Sequence, residues 1–202
     1  MNNLLDQFGD IDIYLFDQLM RGRIQPGMRI LDVGCGGGRN LVYMLGHGFN
    51  VAGVDQDLDA VAHVRALAAR LAPATPADNF RVEAMEALSF PDASADVVIA
   101  SAVLHFASSQ AHFDSMLAGI WRVLAPGGLL FARLASSIGI ADRVQPIGDG
   151  RFRLPDGSDR FLVDEGTLME IGGRLGADLV DPLKTTVVQN QRAMTTWVVR
   201  RR

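Results

Sequence analysis

Thiols are almost missing from this 202-residue chain: Cys35 is the single cysteine. No disulfide can form within the chain, and a reducing compartment, the cytoplasm, is the simplest setting. Long apolar runs are missing too. The longest, such as VVIA and GGLLFA, fall far short of the ~20 residues that cross a bilayer. The opening MNNLLDQFGD has neither the basic start nor the apolar centre of a secretory signal. Basic charge is in deficit. There are 19 Lys and Arg against 23 Asp and Glu, a net charge of −4, which disfavours non-specific nucleic-acid binding. The closing Arg200-Arg201-Arg202 is a short basic stretch of the kind that solvent covers. With no internal repeat, low-complexity tract or long linker, a single domain over residues 1–202 is expected.

Against those absences stands an ordinary globular balance, 49% hydrophobic and 21% charged residues, arranged in a clear rhythm. MRILDV (28–33), NVAGVD (50–55), NFRVEA (79–84), ADVVIAS (95–101) and GLLFARLA (128–135) read as strands. Residues 40–45, 58–71 and 111–124 read as helices, with Pro73 and APGG as stops. Strands alternating with helices predict a Rossmann-like, doubly wound α/β fold with a mostly parallel sheet of about seven strands. After Ala135 the rhythm breaks. GDGRFRLPDGSDRFLVD (148–164) predicts an inserted β-hairpin around PDGS, within an insertion of about residues 137–163. A helix over 165–175 and an antiparallel strand pair, TTVVQ and MTTWVVR, complete the reading.

Four glycines crowd into Gly34–Gly38 of LDVGCGGGRN, where the first strand meets the first helix. Glycine costs roughly 0.5–1 kcal/mol relative to alanine inside an element, so the stretch reads as a turn against a ligand at the carboxyl edge of the sheet. The dinucleotide pattern G-x-G-x-x-G fails in both frames, since its third position falls on Arg39 or Leu41. The phosphate-loop pattern fails for want of a nearby lysine. G-x-G-x-G fits, with Asp32 just before it. Asp55 ends the second strand about 20 residues on, where a ribose-binding carboxylate belongs.

LDVGCGGGRN, GVDQD (53–57), VEAMEALSFPDASADVVIAS (82–101) and VLAPGGLLF (123–131) together resemble the successive motifs of class I S-adenosylmethionine-dependent methyltransferases. The likeness is closest to the small-molecule branch grouped as methyltransferase type 11, and it covers a core of residues 28–135. The resemblance implies S-adenosyl-L-methionine as cofactor and S-adenosyl-L-homocysteine as product. It implies a cofactor site of Asp32, Gly34, Cys35, Gly36, Asp55, Gln56, Ala84, Met85 and Ser101. In it the glycine-loop backbone holds the methionine part. Asp32 braces the loop or bonds the amino group, Asp55 takes the ribose, and Gln56 flanks the adenine. Where the family commonly has an Asp at the adenine edge, this chain has Ala84, and Glu83, Glu86 or the Met85 backbone is left to serve.

Family members share no universal catalytic residue, because displacement at a sulfonium needs positioning and dryness more than a base. His105, in AVLHF after the fourth strand, is the one candidate base. Tyr14, Leu104, His105 and Arg133 are placed on the substrate side, with residues 1–27 as a helical lid. The segment 6–24 carries an apolar stripe from Ile11 to Met20, and Asp12 beside Tyr14 is a second substrate-facing candidate. Arg133, Arg143, Arg151, Arg153 and Arg160 are either a solvated face of the hairpin or a clamp for an anionic substrate. Cys35 reads as a small loop residue rather than a nucleophile. His105 and His112 lack clustered acids, so no metal site is expected. The turn Ser101-Ala102-Val103-Leu104 lacks the [DN]-P-P-[FY] of amino-directed nucleic-acid methyltransferases. The expected acceptor is therefore a small molecule, handled by a monomer or homodimer without membrane attachment. An RNA-modifying enzyme, a cofactor-binding regulator without turnover and an NAD-dependent oxidoreductase remain the alternatives.

Overall fold

The computed structural model describes residues 3–202; the parts of the expected lid and of the leader reading that fall on residues 1–2 lie outside them. Two short helices open the chain, α1 (Leu4–Phe8) and α2 (Ile13–Met20). Strands and helices then alternate: β1 (Arg29–Val33), α3 (Val42–Gly46), β2 (Asn50–Asp55), α4 (Leu58–Leu71), β3 (Phe80–Val82), β4 (Ala95–Ser101), α5 (Gln110–Val123) and β5 (Leu124–Ser136). The rest holds β6 (Gln145–Gly148), β7 (Arg151–Arg153), β8 (Asp159–Phe161), α6 (Glu165–Leu175), β9 (Ala177–Leu179), β10 (Lys184–Val188) and β11 (Arg192–Arg201).

The main sheet runs β10-β11-β5-β4-β1-β2-β3. The stretch from β3 through β5 is parallel, and β11 runs antiparallel to β5 and β10. The order reverses at β1, between β2 and β4, which is where a doubly wound sheet opens a crevice at its carboxyl edge. The strand β9, which also pairs with β11, makes this an eight-stranded sheet and is one strand more than the sequence reading. The expected hairpin is β7–β8. An unforeseen third strand, β6, pairs with β7 to form a separate small sheet. APGG lies inside β5 rather than closing the preceding helix, which ends at Val123.

Strand alternation sorts the core into two layers. On β4, Val98 and Ala100 face the layer that α5 and α6 cover with Phe113, Ile120 and Leu168, while Val97 and Ile99 face the layer of α3 and α4. The period of two follows from the pleat, and near-continuous burial of β4 and β5 follows from helices on both sheet faces. Each fully buried aliphatic or aromatic side chain contributes about 1.5–3 kcal/mol. The helices carry side-chain caps. Asp57 accepts from the Asp59 amide, Ser109 from that of His112, and Asp164 from that of Thr167, each satisfying an otherwise orphaned donor.

The N-terminal segment differs from a single amphipathic helix. Its apolar stripe divides: Leu15 is buried, whereas Ile13 and Met20 are exposed. Gly9 ends α1, which packs on α3 through the stacked rings of Phe8 and Tyr43. One packing detail is a test of the fold. A Cβ added to Gly119, in the middle of α5, would overlap the carbonyl oxygen of Met85 in the turn after β3. Alanine in a helix interior normally gains about 1 kcal/mol over glycine; overpacking against backbone costs about 1–3 kcal/mol. Gly119→Ala is expected to lower the urea midpoint. A raised midpoint would show that the turn yields freely.

Candidate active site

The glycine loop is held from the side of β2. The amides of Gly34 and Cys35 both donate to the Val54 carbonyl, at 2.8 and 2.9 Å. The Gly36 amide donates to Asp55 Oδ2 at 2.8 Å, and Asp55 Oδ1 accepts from the Asp57 amide at 3.0 Å. Three successive N–H groups of the loop are thus spent inside the protein. A Cβ at Gly34 would overlap the Val103 side chain, whereas Gly36, at φ +52°, has open space where its Cβ would be. The first glycine serves close packing, and the second holds a positive φ that a side chain would strain.

Beneath the loop Asp32 is fully buried, and neither carboxylate oxygen has a hydrogen-bond partner. Burial pushes its carboxyl up to about 8, with Arg39 opposing and Asp55 reinforcing the shift. An orphaned buried carboxylate calls for a positive or donating partner. Cys35 is buried beside it, its thiol pushed up by burial, which removes it from thiolate chemistry.

Above these residues lies a cleft of about 330 Å³ at the carboxyl edges of β1, β2, β3 and β4. Gly34 forms part of its wall; Asp55, Gln56, Glu83 and Met85 come from the strand ends, and Val103 and Met116 complete the apolar side. Among the described residues no lysine or arginine lines it. A dinucleotide pyrophosphate would find no cation there, while a positively charged, phosphate-free nucleoside would meet Asp55 and Glu83. The orphaned Asp32 beneath the loop fits the same kind of ligand. At the adenine-edge position, Ala84 stands outside the cleft lining. Glu83 is committed to the amide and hydroxyl of Ser89, and Glu86 sits 3.5 Å from His112 Nε2.

A second cavity, of about 320 Å³, adjoins the first and shares one lining residue with it, Ala102. Ala102 adopts φ +62°, and its amide donates to the Arg133 carbonyl at 2.7 Å. A residue with a Cβ held in that region carries strain of about 1–3 kcal/mol, of the kind that gathers at functional sites. His105 and Arg133 line this cavity. The Ala135 amide donates to His105 Nδ1 at 3.3 Å, and burial, then Arg160, hold the ring down to about 4. The neutral ring therefore carries its proton on Nε2. Arg133 Nη1 pairs at 2.8 Å with Asp12, whose side chain is fully buried, while Arg133 Nε is buried without a partner.

Several expected site residues lie elsewhere. Leu104 is wholly buried in the core and lines neither cavity, because the turn after β4 directs it inward; its substrate-side placement is corrected. Ser101 is buried with its hydroxyl against Arg39 and, at 3.5 Å, Asp12. The Tyr14 hydroxyl bonds to Thr186 Oγ1 at 2.9 Å, and its ring lies 5.4 Å from the Arg133 guanidinium. Of the hairpin arginines, Arg160 reaches the second cavity, Arg143 is exposed and Arg153 pairs with Asp159. Sequence reasoning missed Arg192, which lines the cavity from β11. It also missed the polar ties of Arg39 and Asn40 to the backbone of Asp10 and Asp12. Only the sheet order brings those residues together.

A doubly wound sheet with an acidic, phosphate-excluding cleft at its switch point defines a nucleoside-binding α/β domain. The methyltransferase domain model of type 11 matches residues 31–132, and the chain belongs to that family of S-adenosylmethionine-dependent methyltransferases. An uncharacterised methyltransferase of Synechocystis is 32% identical over 106 residues, 52% of this chain and 46% of that protein. A 2-methyl-6-phytyl-1,4-hydroquinone methyltransferase of the same organism is 37% identical over 108 residues, 53% of this chain and 32% of its own length. The chain thus spans less than half the length of these curated relatives. The crystal structure of Burkholderia thailandensis 1,6-didemethyltoxoflavin-N1-methyltransferase, with its bound substrate and S-adenosylhomocysteine, has the same fold. It matches at TM-score 0.72 and 18% identity, over 98% of this chain and 81% of that one. No helix among the described residues is long and apolar enough to cross a membrane, and these residues contain no metal-ligating cluster.

The buried Asp32 sets a pH dependence. Its folded pKa is about 8, above the usual carboxylate value of about 3.9, so the folded state keeps a proton that the unfolded state releases. Its stabilising contribution is complete below about pH 4 and is lost as pH rises toward 8. An asparagine side chain at this position has nothing to titrate. Thermal unfolding of Asp32→Asn and the parent without ligand should therefore show the variant gaining on the parent from about pH 5 to about pH 8. A constant difference would mean that Asp32 is ionised throughout.

Proposed function

We propose that this chain transfers a methyl group from S-adenosylmethionine to a small-molecule acceptor, with cofactor in the first cleft and acceptor in the second cavity. The observation that carries the reading is the meeting of two cavities of similar size and opposite charge at one strained residue, Ala102. When bound, the cofactor supplies a methyl group on a sulfonium, already attached to a good leaving group. Asp55 retains acceptor capacity for the paired ribose hydroxyls after receiving the Gly36 and Asp57 amides. Within this reading Asp32, buried beneath the loop without a partner, braces the loop or bonds the cofactor's amino group directly or through water. Gln56, Met85 and the Glu86–His112 pair surround the adenine end, with Ala84 contributing backbone at the turn. The apolar walls, half-buried Val103 and buried Met116, exclude water from the reacting centre.

Within this reading His105 donates a hydrogen bond from Nε2 and orients the acceptor; a ring whose pKa lies near 4 is a poor base at neutral pH. The small-molecule branch is supported by the toxoflavin-type neighbour and by the hydroquinone methyltransferase relative, and by a second cavity whose size suits a compact ligand.

Calorimetry with S-adenosylhomocysteine and NAD in parallel tests the cofactor half. Binding of the first and none of the second is expected. Asp55→Ala should weaken S-adenosylhomocysteine by about 1.5–3 kcal/mol, the range for hydrogen bonds to a charged group. Wild-type affinity in that variant would remove the ribose assignment, and binding of NAD alone would overturn the reading.

A further inference from the structure

The second cavity is unbalanced in its hydrogen bonding. Three guanidinium groups line it, those of Arg133, Arg160 and Arg192, and one carboxylate, Asp156. The Asp156 Oδ1 atom already accepts both the amide and the hydroxyl of Ser158, at 3.0 and 2.6 Å. Arg133 is neutralised from behind by Asp12, yet its Nε is buried and unpartnered. Among the described residues neither Arg160 nor Arg192 forms an ion pair; Arg160 donates only to the Asp159 carbonyl and lies 5.0 Å from the Phe106 ring. His105, neutral and protonated on Nε2, contributes another donor. Apart from Ser158, which is bound to Asp156, the remaining wall is apolar, from Ala102, Ala135, Leu154, Val188 and Met194. Donors outnumber acceptors, and positive charge exceeds negative.

We propose that this cavity is a subsite for an organic anion, and that the methyl acceptor is a compact apolar molecule carrying a carboxylate or phosphate anchor. The inference rests on the assignment of the second cavity to the acceptor. Guanidinium forks match the oxygen pairs of carboxylates and phosphates. The apolar wall excludes a bare inorganic ion as the best-fitting occupant, because it would leave that surface uncovered. A cationic acceptor would meet a cavity whose three guanidinium groups outnumber its one carboxylate. The anchor sits toward Arg160 and Arg192, which leaves the reacting end of the molecule toward Ala102 and the cofactor cleft. The two cavities then divide the charges: the acidic cleft takes the cationic donor and the basic cavity the anionic acceptor.

The probes are benzoate, phenyl phosphate, benzamide and benzylammonium, which share one ring and differ in charge. Each is titrated by ligand-observed NMR into the protein with and without S-adenosylhomocysteine. At least one anion is expected to bind in the millimolar range, with the neutral and cationic probes roughly tenfold weaker. The anion that binds separates a carboxylate from a phosphate anchor. Arg192→Gln with Arg160→Gln should remove that preference, and Arg192→Lys should restore part of it, so lost binding is not mistaken for lost folding. Equal binding of benzamide, no binding of either anion, or anion binding indifferent to the glutamine substitutions would each overturn the proposal. Failure of S-adenosylhomocysteine to bind, with the anion preference intact, would instead count against the methyltransferase reading while leaving the subsite standing.

Discussion

The end of β2 is the point on which the site depends. The Val54 carbonyl and the Asp55 carboxylate together take the amides of Gly34, Cys35 and Gly36, so the glycine loop is fastened to its neighbouring strand before any ligand arrives. Preorganisation of this kind lowers the ordering cost of binding. It also decides what the loop offers. With its leading amides turned inward, and with Asp32 beneath and Asp55 beside it, the loop favours a positive, phosphate-free ligand over the pyrophosphate that many similar sheets bind. The residue that carries the ribose assignment is therefore also the one that shapes the loop.

A second constraint lies two strands away, after β4. The strained backbone of Ala102, tied to β5 through the Arg133 carbonyl, stands between an acidic cleft and a basic cavity. The parallel register that pairs Ser101 with Arg133 sets this arrangement. The Arg133 side chain is in turn fixed by the buried Asp12 from the N-terminal segment. Breaking such a pair by removing one partner costs about 3–5 kcal/mol, so the segment before β1 is coupled to the second cavity through a charge rather than through apolar packing alone.

Much of this was legible along the chain. The strands at 50–55 and 95–101 and the helices at 58–71 and 165–175 coincide with β2, β4, α4 and α6. Local signals specify them: apolar runs bounded by capping Asp residues, a proline stop and a left-handed Gly176. The glycine motif and Asp55 were legible for the same reason, since loop and strand end are separated by a fixed, short stretch of chain. Short strands such as β6 and β9 carry too few residues for a periodic signal, and their pairing depends on partners distant in sequence. Leu104 and Ser101 were misplaced because a turn of a few residues can direct successive side chains to opposite sides, and spacing does not reveal which.

The sequence by itself determined the alternation of strands and helices and put the glycine loop and Asp55 at the ends of successive strands, because each follows from local pattern or short separation. The tertiary structure decided the rest. It turned the loop amides inward, orphaned Asp32 and placed the His105 proton on Nε2. It drew Arg133, Arg160 and Arg192 around one cavity, with Asp12 behind the first of them, from four distant parts of the chain. Those outcomes depend on sheet order and on which groups lose their water, and neither is encoded in any single segment.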